Sequence, residues 1–265
     1  MSNTQHNIYP IHSKNGKTYW VERGDMMYAQ RLREGQYQKR NWQFAQHILN
    51  SFRTCVDIGS NNACNAVHYA EQFDHVHCFE PTDVAQAMWR NTVRDNHTHN
   101  VTLHTHALGE DQRNTTMLIE TCASGSSGHS HVAHFDKNQR ARRKHKRRVA
   151  PVVQHTLDSY QFDCVDFIKV DVEGYEWFVM QGAERTIQLW RPICQLEITE
   201  VGCRKFGHTP NDVVKWFQQH NYGAITKTQG RKTSWQHVPR DMDWFFVPNE
   251  YNNLPPTLAL FDNTN

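Results

Sequence analysis

The sequence predicts an α/β fold: a mostly parallel sheet with one antiparallel edge strand and helices on both faces. Three observations predict it. From Thr54 onward, short apolar runs of strand length alternate with segments of helical period, the pattern of a sheet covered on both sides. Acidic residues gather at the carboxyl ends of those runs, where open α/β sheets hold ligands. The last two runs have no helix between them, so one of the pair must reverse direction.

Residues 1–27 are aromatic-rich without a clear period, and residues 28–50 read as a helix with Trp42, Ala45 and Leu49 on one face. Together 1–50 form an N-terminal extension or helical cap. The main domain runs from 51 to 250. Its expected order is a strand at Thr54–Ile58, a helix at Ala63–Gln72, a strand at Val76–Glu80 and a helix at Ala85–Asn96. Strands follow at Val101–His106 and Thr115–Ile119, then a polar insertion at 121–148, then strand character again at Val149–Val153. Phe167–Val170 is a buried strand, Tyr175–Leu189 a helix and Ile193–Ile198 a strand. Thr209 and Pro210 cap and open a helix over Asn211–His220. Gly223–Thr228 and Trp244–Val247 are the final strands, and 251–265 is a tail.

Composition narrows the class. The 265 residues are 38% hydrophobic, which is low, but 29 Lys+Arg against 27 Asp+Glu leave a net charge of only +2. Weak net charge with eight Trp and thirteen Phe indicates a folded, polar chain rather than a disordered one. No apolar run is long enough for a membrane span or a signal segment. The seven cysteines are odd in number, widely spaced and never in a C-x-x-C pair, so buried thiols in the cytoplasm are expected rather than zinc or disulfides. Eight basic residues lie between Lys137 and Arg148; without them 21 basic residues face 27 acidic ones. A mildly acidic body thus carries one basic segment, which either meets an anionic partner or is a solvated face.

Three segments carry chemistry. In Val56-Asp57-Ile58-Gly59-Ser60-Asn61, a glycine in the turn after the first strand lets backbone approach a ligand. In Phe79-Glu80-Pro81, an acid ending the second strand is placed to accept the ribose hydroxyls of a nucleoside cofactor. In Ile168-Lys169-Val170-Asp171-Val172-Glu173-Gly174-Tyr175-Glu176, Lys169 and Asp171 share a strand face, and Asp171 and Glu173 emerge at its carboxyl end. Glu173 and Glu176 are also suited to cap the next helix. Four H-x-H pairs (His75/His77, His97/His99, His104/His106, His129/His131) have no completing ligand pattern, so no metal is expected.

These segments, with Ala107-Leu108-Gly109, Thr156-Leu157-Asp158, Asp166 and Arg191-Pro192…Glu197-Ile198, make the chain resemble the FkbM-family methyltransferases over about residues 54–200. The resemblance implies a class I methyltransferase, Rossmann-like fold with S-adenosyl-L-methionine as methyl donor. The usual reaction is O-methylation of a hydroxyl, here on a sugar, glycan or related small polar metabolite. It implies that Asp57, Gly59, Ser60 and Asn61 shape the methionine side of the site, that Glu80 binds ribose, and that His106 and Ala107 lie near adenine. Asp171, Glu173 and Lys169 form the candidate catalytic set, with Asp171 also against the cofactor. Glu176, Glu197, His129 and His131 form the candidate acceptor-binding set. Where the family usually has a second glycine, this chain has Ala63, whose methyl group crowds the cofactor if the backbone approaches closely. The competing readings are a nucleic-acid-associated methyltransferase using the basic segment and a cofactor-binding module without turnover. The first loop lacks the glycines of a nicotinamide site, and oligomeric state has no signal in the sequence.

Overall fold

Sequence-distant strands meet here because each carries two different apolar edges. In the computed structural model, which describes residues 6–35, 37–121, 131–132, 146–226, 230–232 and 242–251, Val56, Ile58, Ile168, Val170, Cys194, Leu196, Trp244 and Phe246 face one cluster. The alternate residues Cys55, Phe167, Ile193, Phe245 and Val247 face a second. Period-2 alternation with both faces apolar is the signature of a sheet buried on both sides.

The strands are β1 (Ile8–His12), β2 (Thr18–Glu22), β3 (Thr54–Ile58), β4 (His75–Phe79), β5 (Val101–His104), β6 (Ala107–Leu108), β7 (Arg113–Thr121), β8 (His131–Val132), β9 (Lys146–His155), β10 (Phe167–Val170), β11 (Ile193–Glu197), β12 (Tyr222–Thr226), β13 (Gly230–Lys232) and β14 (Asp243–Pro248). The helices are α1 (Met26–Arg33), α2 (Lys39–Ile48), α3 (Ala66–Tyr69), α4 (Asp83–Asp95), α5 (Glu176–Gln181), α6 (Glu184–Trp190), α7 (Glu200–Lys205) and α8 (Pro210–Gln219). Among the described residues the main sheet has the order β13-β12-β14-β11-β10-β3-β4-β5, parallel from β11 to β5. Helices α5, α6 and α8 pack on the first face, and α2, α3 and Trp89 of α4 on the second.

The reversal lies inside the edge: β14 is antiparallel to both β11 and β12, leaving β12 and β13 outside it. Thr209 and Asp212 form a reciprocal capping box at α8, as the Thr-Pro pair suggests.

Several elements differ from the sequence reading. Residues 8–22 form an antiparallel hairpin, with Tyr19 and Val21 buried beneath α1 residues Ala29 and Leu32. The helix expected over 28–50 is two helices, because Gly35 and Gln38 turn the chain through left-handed conformations between them. The helix expected over 63–72 shortens to α3.

The segment 175–189 breaks into α5 and α6 at Gly182, where an added Cβ would sit 1.9 Å from the Gly109 carbonyl oxygen. Asp158 then caps α6, accepting from the Arg185 and Thr186 amides at 2.9 and 2.8 Å, which gives Thr156-Leu157-Asp158 a structural purpose. Gly182→Ala is expected to cost about 1–3 kcal/mol by overpacking, read as a lower denaturant midpoint at unchanged m-value.

The basic run also reads differently. β7 extends to Thr121 and β9 begins at Lys146, pairing with it in a separate sheet of order β6-β9-β7-β8. Arg148, at the end of that run, is ion-paired with Asp83 in the first turn of α4. Lys137–His145 and the remainder of the insertion, apart from the short β8, lie outside the described residues. Of the seven cysteines, Cys55, Cys64, Cys78, Cys194 and Cys203 are buried free thiols and Cys164 is half-buried.

Candidate active site

The site grows from three neighbouring strand ends. Asp166 pins the start of two of these strands: it accepts from the Arg53 and Thr54 amides at 2.7 and 3.3 Å and pairs with the Arg53 guanidinium at 2.7 Å. With β3 and β10 held in register, Lys169 lies beside Asp57. Both chains then turn at their carboxyl ends: Asp171 N donates to Ile58 O at 3.0 Å, and Gly59 and Ser60 N donate to Phe79 O.

Gly59 sits at φ +80°, and a Cβ on it would fall 1.9 Å from the Asp171 carbonyl oxygen. The glycine therefore serves the packing of two loops against each other. Gly59→Ala is expected to displace the Asp171 loop, and a folded variant should bind cofactor much more weakly by calorimetric titration.

A cavity of about 290 Å³ opens over these strand ends. One part is lined by Phe79, Ala85, Met88, Ala107, Leu108 and Met117, an apolar slot suited to a flat base. Glu80 lies at its side, 7% exposed. Its Oε1 accepts from the Thr82 amide and hydroxyl at 2.9 and 2.6 Å, and its Oε2 from the Asn61 amide at 3.0 Å. Oε1 thus has both lone pairs engaged by Thr82, and Oε2 keeps one for a further donor. Burial pushes the Glu80 carboxyl up, against the pull of those donors.

His106 lines the same cavity, held by a 3.0 Å bond from its Nδ1 to Tyr160 Oη and stacked on His155 at 4.1 Å.

The other part is lined by Lys169, Asp171, Glu173 and Glu197. Carboxylate oxygens of Asp171, Glu173 and Glu197 all lie within 4.8 Å of one another. Lys169, 2% exposed, places Nζ 3.1 Å from Asp171 Oδ2 and 3.8 Å from Asp57 Oδ1. Burial opposes the ammonium, but Asp171 and Asp57 together hold its pKa above the usual lysine value. Burial also opposes ionisation of Asp171, yet Lys169 and hydrogen bonds with Glu197 and Gln38 keep it below the usual carboxylate range. Glu197 goes the other way, pushed up to about 10 by the Asp171 charge and then by burial.

The sequence-derived residues divide clearly. Gly59, Ser60, Asn61, Glu80, His106, Ala107, Lys169, Asp171, Glu173 and Glu197 all line the cavity. Asp57 lies beneath it, fully buried beside Lys169. Glu176 is a correction: it does not line the cavity, and its Oε1 accepts from the Val172 and Gly174 amides at 3.0 and 3.1 Å. Its carboxylate is consumed in closing the loop that carries Asp171 and Glu173. His129 and the His131 side chain lie outside the described residues.

Ala63 is at φ +65° but faces the second core cluster rather than the cavity. Ala63→Gly is therefore expected to leave cofactor affinity unchanged in a calorimetric titration.

Sequence reasoning missed Tyr28, Arg31, Tyr37 and Met242, which line the cavity mouth. It also missed Gln38, whose Nε2 donates to Asp171 Oδ2 at 3.4 Å. The 28–50 stretch reads as a plain amphipathic helix, and no signal in the sequence points to these residues.

The H-x-H pairs of β4 and β5 meet across the sheet. His77 Nδ1 lies 3.1 Å from His104 Nε2, and His75 Nε2 lies 2.8 Å from Thr102 Oγ1. Burial, then His75 and His104, lowers the His77 pKa to about 4. A histidine depressed from an unfolded value of about 6.5 stabilises the fold above that pH. That contribution fades as pH falls toward 4, the thermal midpoint should drop across this window, and His77→Phe should flatten the drop.

The fold and cavity define a class I methyltransferase architecture, with apolar lining beside an acidic strand end. A Methyltransferase FkbM domain model matches residues 57–223, more than half of the chain. The chain belongs to the FkbM methyltransferase family, whose methyl donor is S-adenosylmethionine. Among solved structures, the chain is similar to the methyltransferase FkbM from Methylobacillus flagellatus KT (16% identity, TM-score 0.46, covering 84% of this chain and 55% of that one). It is also similar to SMU.1697c from Streptococcus mutans, solved in complex with SAH (9% identity, TM-score 0.46, 79% and 96% covered). The chain thus spans about half the length of the Methylobacillus protein. No curated protein matches it in sequence. Among the described residues, no helix is long and apolar enough to cross a membrane.

Proposed function

We propose that the protein transfers a methyl group from S-adenosylmethionine to a hydroxyl of a sugar, glycan or related small polar metabolite. One observation carries this reading: a single cavity joins Glu80 and an apolar slot at β4 to the Asp171, Glu173 and Glu197 carboxylates at β10 and β11. The residues fit the cofactor. Phe79, Met88 and Ala107 offer apolar surface for adenine, Glu80 Oε2 retains a lone pair for a ribose hydroxyl, and the acidic end suits a cation. The cofactor supplies a methyl group already activated on a sulfonium.

The chain's own residues have a modest task. They hold an acceptor oxygen in line with the methyl, which is worth about 7–11 kcal/mol in well-oriented systems, and they take its proton. Asp171 is placed for that proton: Lys169 and Gln38 fix its Oδ2 at 3.1 and 3.4 Å. Three carboxylates close together are hydrogen-bond acceptors for a polyhydroxylated ligand, which favours sugar-like acceptors over apolar ones.

The test uses methyl-labelled cofactor with panels of sugars, glycans and amines. Label on an acceptor oxygen supports the reading; label confined to amines contradicts it. With the acceptor in hand, Asp171→Asn is expected to lower kcat by about 10²–10⁴-fold.

A further inference from the structure

Among the described residues, the acidic end of the cavity brings more carboxyl groups together than buried cations. Asp57, Asp171, Glu197 and Asp243 stand on β3, just after β10, on β11 and on β14, four adjacent strands meeting at one edge. Register places Glu197 opposite Asp243, and Val170 beside Leu196, so Asp171 and Glu197 follow on neighbouring strands.

Lys169, the one buried ammonium among the described residues, is divided between Asp171 and Asp57. Asp243 is answered by neutral amides, from Asn41 at 2.5 Å and Gln195 at 2.9 Å. Among the described residues no cation lies within ion-pair distance of Glu197. The other groups facing the pair are Glu173 from the loop after β10, Tyr37 and Gln38 ahead of α2, and Cys64 after the first loop. Arg31 of α1 is a cation on the cavity wall, but it is exposed. Adjacent carboxylates in a poorly solvated site do not both ionise unless a cation joins them.

We propose that the Asp171–Glu197 carboxyl pair holds one proton in the ligand-free protein, expels it when the sulfonium cation enters, and recovers it from the acceptor hydroxyl during transfer. This rests on the methyltransferase reading above.

The cycle balances. Cofactor entry sends one proton to solvent and leaves both carboxylates ionised beside a positive charge. In transfer the oxygen–methyl bond forms and the sulfur–methyl bond breaks, its electron pair staying on a now neutral sulfur. The hydroxyl proton passes to the pair. Departure of the neutral thioether product leaves the pair as it began, so the proton lost per turnover appears at the binding step. The same pair thereby favours the cationic donor over the neutral product.

The test is calorimetric titration of S-adenosylmethionine and S-adenosylhomocysteine in buffers of differing ionisation enthalpy, at about pH 6.5, below the range where a free α-amino group titrates. The dependence of the observed enthalpy on buffer ionisation gives the protons exchanged. About one proton released with the methionine cofactor, and close to none with the homocysteine product, is the expected result. Glu197→Gln should bind the cofactor without release. Should that variant not fold, Asp171→Asn serves the same purpose. The wild-type protein gives an independent reading, because its cofactor Kd should tighten by up to about tenfold per pH unit while the product's stays flat. Cofactor binding with no release, or release that persists in both variants, overturns the proton cycle and leaves the methyltransferase reading intact. Failure of the cofactor to bind at all overturns both.

Discussion

Glu80→Ala should weaken S-adenosylmethionine and S-adenosylhomocysteine binding by about 10–100-fold, the loss of one hydroxyl hydrogen bond to a charged acceptor. Two roles of this side chain have to be separated, because Glu80 also anchors the first loop through the Asn61 amide and the next turn through Thr82. Glu80→Gln separates them. Its amide oxygen can still accept from one of these donors, so the loops should stay close to their places, while the negative charge offered to ribose is gone. Weakening in both variants with unchanged unfolding midpoints identifies a ligand contact. A lowered midpoint in Glu80→Ala alone identifies a loop anchor.

Lys169→Met should cost about 3–5 kcal/mol of folding stability, because removing one member of a buried ion pair leaves the others uncompensated. The side chain is 2% exposed and stands between Asp57, itself fully buried, and Asp171. The pH dependence distinguishes this from a packing defect. Without the ammonium the buried carboxyls favour their protonated forms, so their folded pKa values rise above the unfolded ones. The variant's deficit should therefore be small in acid and grow as pH rises through those values. A cavity or overpacking effect would be independent of pH. Chemical denaturation of both proteins across that range reads the difference.

Much of this was legible in the sequence, for identifiable reasons. The strand ends of β3, β4 and β10 carry their chemistry in contiguous runs, so Gly59, Glu80, Lys169 and Asp171 were placed from local pattern alone and do line one cavity or its floor. The capping box of α8 is equally local. What escaped depends on contacts distant in the chain. Glu176 opens α5 five residues after Asp171, but whether it faces a ligand or its own loop is decided by the Val172 and Gly174 amides. The need for glycine at Gly182 comes from the Gly109 backbone, some seventy residues away. Tyr28, Tyr37 and Gln38 reach the cavity only because the β1–β2 hairpin and the turn at Gly35 carry α1 and α2 onto it. The last basic residues of the 137–148 run look like a solvated face, yet Lys146–Arg148 open β9, and their strand assignment comes from pairing with β7.

The central claim is that one cavity holds the nucleoside against Glu80 and the reacting sulfur toward Asp171 and Glu197. A crystal structure with S-adenosylhomocysteine tests it most directly. The expected result is a ribose hydroxyl within hydrogen-bond distance of Glu80 Oε2, the base in the slot beside Met88 and Ala107, and the sulfur facing the Asp171–Glu197 pair. A nucleoside bound with its ribose away from Glu80, or lodged outside this cavity, would contradict it.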